Sequence, residues 1–403
     1  MLRVGILHSL TGPMAPSEGP VALATRMAVA EWNGHTSGGD PHLAGRVSSG
    51  ITLEAISADG ASDPETFARE AGRLVSEEGV AALFGCWTSS SRKAVLPVVE
   101  SLGNFLVYPL QYEGLESSAN VLYTGATPNQ QLLPGLRWAM GRFGTRVYFV
   151  GSDYVFPRVA NAVMRDQLGA AGGAPVGEAY LPLNASGPEL QALAAAIVVD
   201  IRRSRPDVIV STLNGLAGNM ALFSALRAEV PASELPTLSF SIGAPEARAM
   251  SRLGQSLTGE YAGWSWLPDA NDAEAAALWS TFGTWAEGAG IAQAELPDGL
   301  TDPMVNAIAG VRLWASAAAA RESGQAASLA SALAGSSTPA PGGRLFVDQE
   351  NQHVWHPLVV GQFTADARLS PVFRTALSER PRPYPAFRSR TSWERILAEA
   401  SSA

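Results

Sequence analysis

Apolar runs of a few residues alternate with longer stretches in which apolar positions recur at helical spacing, and the alternation extends from Leu2 to Phe240. Residues 2–7, 51–56, 80–84 and 105–107 read as strands, with helices over 20–32, 64–76 and 92–102 between or after them. A second series opens with a strand at 146–150 and a helix at 158–168, then adds strands at 176–180, 207–210 and 237–240. Runs that are apolar on both faces belong to strands covered by helices on both sides, and strand–helix–strand order makes those strands parallel. The pattern therefore predicts an α/β protein of two doubly wound lobes, each a mostly parallel sheet with helices on both faces. Residues 4–7 and 148–151 are the first strands of two similar units.

Polar residues gather where strands hand over to helices. The stretch 84–93 (FGCWTSSSRK) sets Trp87, Thr88 and three serines at a helix N-terminus, where backbone N–H groups lack helical partners. Ser89, Ser90 or Ser91 either caps that helix or offers a hydroxyl to a ligand. Three further loops share the geometry: 108–114 (YPLQYEG), 151–157 (GSDYVFP) and 211–215 (STLNG). Ligands collect outside the carboxyl ends of strands in open parallel sheets, and loops carrying Ser, Tyr, Asn and Trp with few charges predict a neutral polar ligand. Asn214 and Ser241 stand at strand ends of the second series, where turn chemistry explains them as well as ligand binding does.

The phrases 84–97 (FGCWTSSSRKAVLP), 108–116 (YPLQYEGLE), 123–130 (YTGATPNQ) and 151–158 (GSDYVFPR), with weaker echoes at 4–12 (VGILHSLTG), 59–63 (DGASD) and 382–384, carry a resemblance. The chain resembles the type I periplasmic-binding-protein family, in the branch of urea-binding components of ABC transporters and the amide sensor that controls aliphatic amidase expression. The resemblance runs along the whole chain in one order. It implies three hinge crossovers, placed near 123–126, 261–265 and 342–346, and hence a first ligand-binding lobe of 1–123 with 264–340 and a second of 124–263 with 341–403. It also implies that Ser89, Tyr108 and Tyr154 contact a ligand held between the lobes, that Trp87, Leu110 and Phe156 line the same small cavity, and that the lobes close on the ligand. Trp87 and Phe156 stand where the amide sensor has tyrosines, whereas Leu110 and Gln111 look more like the urea-binding branch. Tyr108 and Phe156 read equally as packing residues between lobes.

A chain of 403 residues with 46% hydrophobic and 16% charged positions is globular and long enough for two cores. The net charge of -9, with one lysine (Lys93) and dispersed arginines, marks no nucleic-acid surface. Cys86 is the single cysteine, so no disulfide forms within the chain. The first strand follows Met1 directly, with no charged leader, apolar core or cleavage site, so as it stands the chain is expected in the cytoplasm. With Met1 replacing a removed leader, it is expected in the periplasm or otherwise outside the membrane. The Ala-rich stretch 308–320 is too short to span a bilayer and is interrupted by Arg312.

Enzymatic constellations are missing from the sequence. None of the five histidines stands in H-E-x-x-H, and there is no G-x-S-x-G, phosphate-binding loop or dinucleotide fingerprint. His353 and His356, three apart in a strand-like segment, point to opposite faces rather than to one metal. Cys86 near Lys93 lacks the second carboxylate and lysine of a nitrilase-like centre. The expectation is a binding protein without catalytic residues, metal or cofactor, holding urea or a short amide through Trp87, Ser89, Tyr108, Leu110, Gln111, Tyr154, Phe156 and Asn214. Its partner is an ABC permease or, alternatively, a cytoplasmic regulatory protein that reads amide binding to control amidase expression. Neither reading involves membrane insertion, and both are compatible with a homo-oligomer. Three smaller expectations concern Asp302 as the cap of a helix before Pro303, residues 334–343 as a linker, and residues 392–400 as an amphipathic stretch that packs back on the second lobe or forms an exposed arm.

Overall fold

The computed structural model describes residues 1–34, 51–183, 185–269 and 271–401. His35 and His42 lie outside them. The chain divides into two compact units: Met1–Gln111, Ser117–Ala126 and Pro268–His356 form unit 1, and Tyr112–Glu116, Thr127–Leu267 and Pro357–Ala403 form unit 2.

Unit 1 begins with β1 (Leu2–His8), α1 (Ala15–Trp32), β2 (Leu53–Asp59), α2 (Pro64–Ser76), β3 (Leu83–Gly85), α3 (Ser89–Ser101), β4 (Leu106–Tyr108) and β5 (Val121–Tyr123). The five strands form one parallel sheet in the order β2-β1-β3-β4-β5. Val4, Ile6, Leu7, Phe84, Leu106 and Val107 are buried, as the two-faced apolar runs require. Two helices start earlier than their apolar periodicity suggests. Pro16, in the first turn of α1, needs no helical N–H partner, and Thr88 caps α3 by accepting from Ser91 N–H at 3.1 Å.

Unit 2 opens with α4 (Leu132–Phe143), β6 (Val147–Ser152), α5 (Val155–Ala170), β7 (Gly177–Leu181), α6 (Gly187–Ser204), β8 (Val208–Thr212), α7 (Leu216–Glu229), β9 (Thr237–Ser239), α8 (Ala244–Arg252) and β10 (Tyr261–Trp264). Strands β7-β6-β8-β9-β10 repeat the order of unit 1 and are parallel. One face of the sheet packs Phe149, Val210 and Leu238 against Leu136, Phe156 and Met164, and the other packs Tyr148, Val150 and Ile209 against Ala194, Ile201 and Leu222. Helix α5 starts at Val155 because Pro157 falls within its first turn.

The remaining chain adds to both units. Unit 1 gains α9 (Ala273–Gly288), α10 (Asp302–Glu322), α11 (Leu329–Leu333) and the antiparallel pair β11 (Ser337–Ala340) and β12 (Gly343–Phe346). Thr301, not Asp302, caps α10 through a 3.5 Å bond from Met304 N–H, which puts Asp302 and Pro303 in the first turn. The expected linker is a hairpin instead: Pro341 fixes one turn dihedral, and Gly342, at φ 79°, supplies the positive one. Residues 342–346, expected as a hinge, thus belong to unit 1, and the chain passes to unit 2 after His356.

Unit 2 gains β13 (Val359–Phe363), antiparallel to β10, then β14 (Leu369–Arg374) and α12 (Arg390–Ser401). Of the two alternatives for residues 392–400, the structure shows packing on this unit rather than an exposed arm. Trp393 of α12 is fully buried beside Val155, Val159 and Val163 of α5, and its indole N–H donates to Pro385 O at 2.8 Å. Among the described residues, no helix is long and apolar enough to cross a membrane.

Candidate functional site

Both sheets reverse their strand order at the first strand of the unit, between β1 and β3 in unit 1 and between β6 and β8 in unit 2. Loops at the carboxyl ends beside such a reversal are where open α/β sheets take ligands. The predicted residues fall on these loops or the next ones.

In unit 1 the turn after β3 is tight. Gly85 lies so close to β1 that a Cβ would stand 1.9 Å from Leu7 O, and Cys86 follows in the left-handed region at φ 63°, its N–H bonded to Leu7 O at 2.9 Å. Because Thr88 caps α3, Ser89 occupies its first helical position with its hydroxyl turned to other work. Ser89 Oγ accepts from Arg92 Nη1 at 3.1 Å, which turns the serine's own proton away from the guanidinium. Arg92 is fully buried and stacks over the Tyr108 ring at 4.9 Å. The Tyr108 hydroxyl donates to Trp87 O at 2.7 Å. Trp87, Ser89 and Tyr108 are thus brought together around Arg92, which the sequence marked only as the start of a helix.

Leu110 is buried and Gln111 half-buried. Their backbone runs against Gly125, where a Cβ would lie 2.0 Å from the Leu110 carbonyl, and Tyr108 O accepts from Thr124 N–H at 2.9 Å.

In unit 2 Ser152 joins the ends of β6 and β8, its Oγ 2.9 Å from Asn214 N and 3.3 Å from Asn214 O. The Asn214 amide nitrogen donates to Thr212 O at 3.2 Å and Ser241 Oγ at 3.3 Å, so its side-chain carbonyl is what it can present to a ligand. Tyr154 holds the N-cap position of α5 in extended conformation and is half-buried. Phe156 is 4% exposed and packs into the sheet core with Leu136 and Phe149, its ring 6.4 Å from that of Tyr154. Asp153 pairs with Arg158 at 2.6 Å, and Arg158 lies over the Tyr180 ring at 4.6 Å. Burial, followed by the bond to Glu178, pushes the Tyr180 phenol well above its ordinary value, so it stays protonated.

The remaining chemistry is structural. His353 stacks on Tyr123 at 4.1 Å, while His356 donates from Nε2 to Thr124 O at 2.8 Å. Among the described residues no group of three or more His, Cys, Asp or Glu side chains could hold a metal. Taken unit by unit, these loops carry hydroxyls, carbonyls and aromatic faces of the kind that hydrogen-bond small molecules.

Comparison with known proteins agrees with this architecture. The fold is similar to that of an ABC transporter solute binding protein from R. palustris in complex with 4-hydroxybenzoate, at a TM-score of 0.74 and 19% identity over 93% of this chain and 96% of the other. It is also similar to an amino acid ABC transporter substrate-binding protein from Pseudomonas fluorescens Pf-5 (0.72, 18%, 95% and 97%). LivJ from Streptococcus pneumoniae, a branched-chain amino acid transporter substrate binding protein in complex with isoleucine, gives 0.71 at 13% identity over 94% and 100%. Residues 2–390 match the family described as periplasmic binding protein domain. With nearly its whole length matched, the chain belongs to the periplasmic binding protein domain family.

Proposed function

We propose that the chain is the solute-binding component of an ABC transporter and captures urea or a short aliphatic amide. On this reading the two units are its ligand-binding lobes, and it delivers the solute to a permease without transforming it. The observation that carries the reading is the set of hydroxyl, carbonyl and aromatic groups on the loops after β3, β4, β6 and β8, where Asp153 is paired with Arg158 and the buried Arg92 is turned onto Ser89 and Tyr108. Ser89 supplies a donor for a ligand carbonyl, Tyr108 and the Asn214 carbonyl supply acceptors for N–H groups, and Trp87 supplies a flat apolar wall. A planar amide presents matching groups and no charge. The phrases around Leu110 and Gln111, which resemble urea-binding components, support the same ligand class.

Ser89→Ala and Tyr154→Phe are each expected to weaken urea binding by about 0.5–1.5 kcal/mol, the usual worth of one hydrogen bond, with circular dichroism unchanged. Unaltered affinity in both variants would place the ligand elsewhere.

A further inference from the structure

The first strand of unit 1 ends in a histidine that the residues above leave unused. His8 is the last residue of β1, the strand at which the sheet order reverses, and β3 on its far side leads into Cys86, Trp87 and Ser89. The register pairs Leu7 with Gly85, so His8 stands one strand across from the residue that precedes Trp87. A ligand lying outside the carboxyl ends of β1 and β3 lies beside the end of β1 that carries His8.

The ring is 1% exposed and held from one side. Its Nδ1 is 3.1 Å from Oε2 of Glu18, in the first turns of α1, and the same oxygen accepts Ser9 N–H at 2.9 Å. That oxygen accepts from the ring as well, so Nδ1 carries the proton and Nε2 of the neutral imidazole is left with a lone pair. Nε2 is buried and has no hydrogen-bond partner among the described residues. Buried polar atoms are almost always paired, so an orphan beside a ligand-taking reversal points to a missing donor.

We propose that His8 is a further ligand-binding residue whose Nε2 accepts a hydrogen bond from an N–H of the bound solute, Glu18 fixing the tautomer that allows it. The proposal rests on the amide reading and sharpens it. A bare ring nitrogen backed by a carboxylate accepts an N–H donor and disfavours a carboxylate ligand, which brings only acceptors and negative charge. The solute class is then a neutral carbonyl compound bearing N–H groups, selected over an acid of the same shape, as acetamide over acetate.

The test is nitrogen NMR of the full chain labelled in its histidine rings, with His8 identified by the resonances lost in His8→Gln. Urea or acetamide is expected to move the His8 Nε2 resonance while Nδ1–H is retained, and His8→Phe is expected to weaken acetamide binding about tenfold or more. Amide binding with the His8 resonances unmoved overturns this proposal and leaves the amide reading standing. Acetate bound more tightly than acetamide, with Nε2 becoming protonated, overturns the acceptor role. Failure of the chain to bind any amide overturns the amide reading, and this proposal with it. The resonance is read on the unsubstituted chain, so a variant that does not fold leaves the test intact.

Discussion

Replacing Arg312 by methionine is expected to destabilise unit 1 by about 3–5 kcal/mol, the usual cost of stranding one member of a buried ion pair. Arg312 of α10 and Glu31 of α1 are both almost fully buried and meet in a fork, Nε to Oε2 at 3.0 Å and Nη2 to Oε1 at 2.7 Å. The remaining guanidinium nitrogen donates to Pro339 O of β11 at 3.2 Å, so one side chain ties together three elements. Methionine fills the volume but leaves the Glu31 carboxylate without its cation. Adding Glu31→Gln is expected to recover most of the loss, because the stranded charge is then gone. Guanidinium chloride is the denaturant to use, since urea is the proposed ligand. A loss below about 1 kcal/mol, as for an exposed pair, would contradict the buried fork.

Acidification is expected to unfold unit 1 partly through His356. Burial pushes this imidazole down to about 4 from its ordinary 6.5, although its bond to Thr124 O opposes the shift. Below pH 6.5 the unfolded chain takes a proton that the folded chain refuses, so the stability present above 6.5 is lost progressively as pH falls towards 4. The loss amounts to about 3 kcal/mol over that window. In His356→Gln the amide N–H can still donate to Thr124 O and nothing titrates. Unfolding free energies measured from pH 7 to pH 4 should therefore fall more steeply in the natural chain than in the variant. Parallel profiles would mean that the imidazole is not buried and neutral.

The first four strands of each series were legible because they are short apolar runs, as at 2–7 and 146–150, whereas β5, β10, β13 and β14 were not, and 261–265, expected as a hinge, is strand β10 of the unit 2 sheet. Helix starts were less legible. Thr88 and Thr301 take their cap roles from backbone geometry, and Pro157 hides the first turn of α5 by reading as a breaker. The hairpin of β11 and β12 was obscured by the Pro341–Gly342 pair, which marks a two-residue turn as readily as a linker. At the candidate site the loops could be located from strand ends and hydroxyl content, but their internal bonding could not. That Arg92 turns inward onto Ser89 and Tyr108, or that Asn214 spends its amide hydrogens on Thr212 O and Ser241 Oγ, depends on burial and on partners that spacing does not reveal. The His8–Glu18 contact is of the same kind: the two lie ten positions apart across loop and helix, and no spacing rule joins them.

Titration calorimetry of the chain with urea, acetamide, acetate, benzoate and isoleucine decides whether the solute is a neutral amide. Saturable binding of one urea or acetamide per chain is expected, with no release of ammonia on incubation and no heat from the three carboxylates. Saturable binding of benzoate or isoleucine, with none from either amide, would contradict the amide reading.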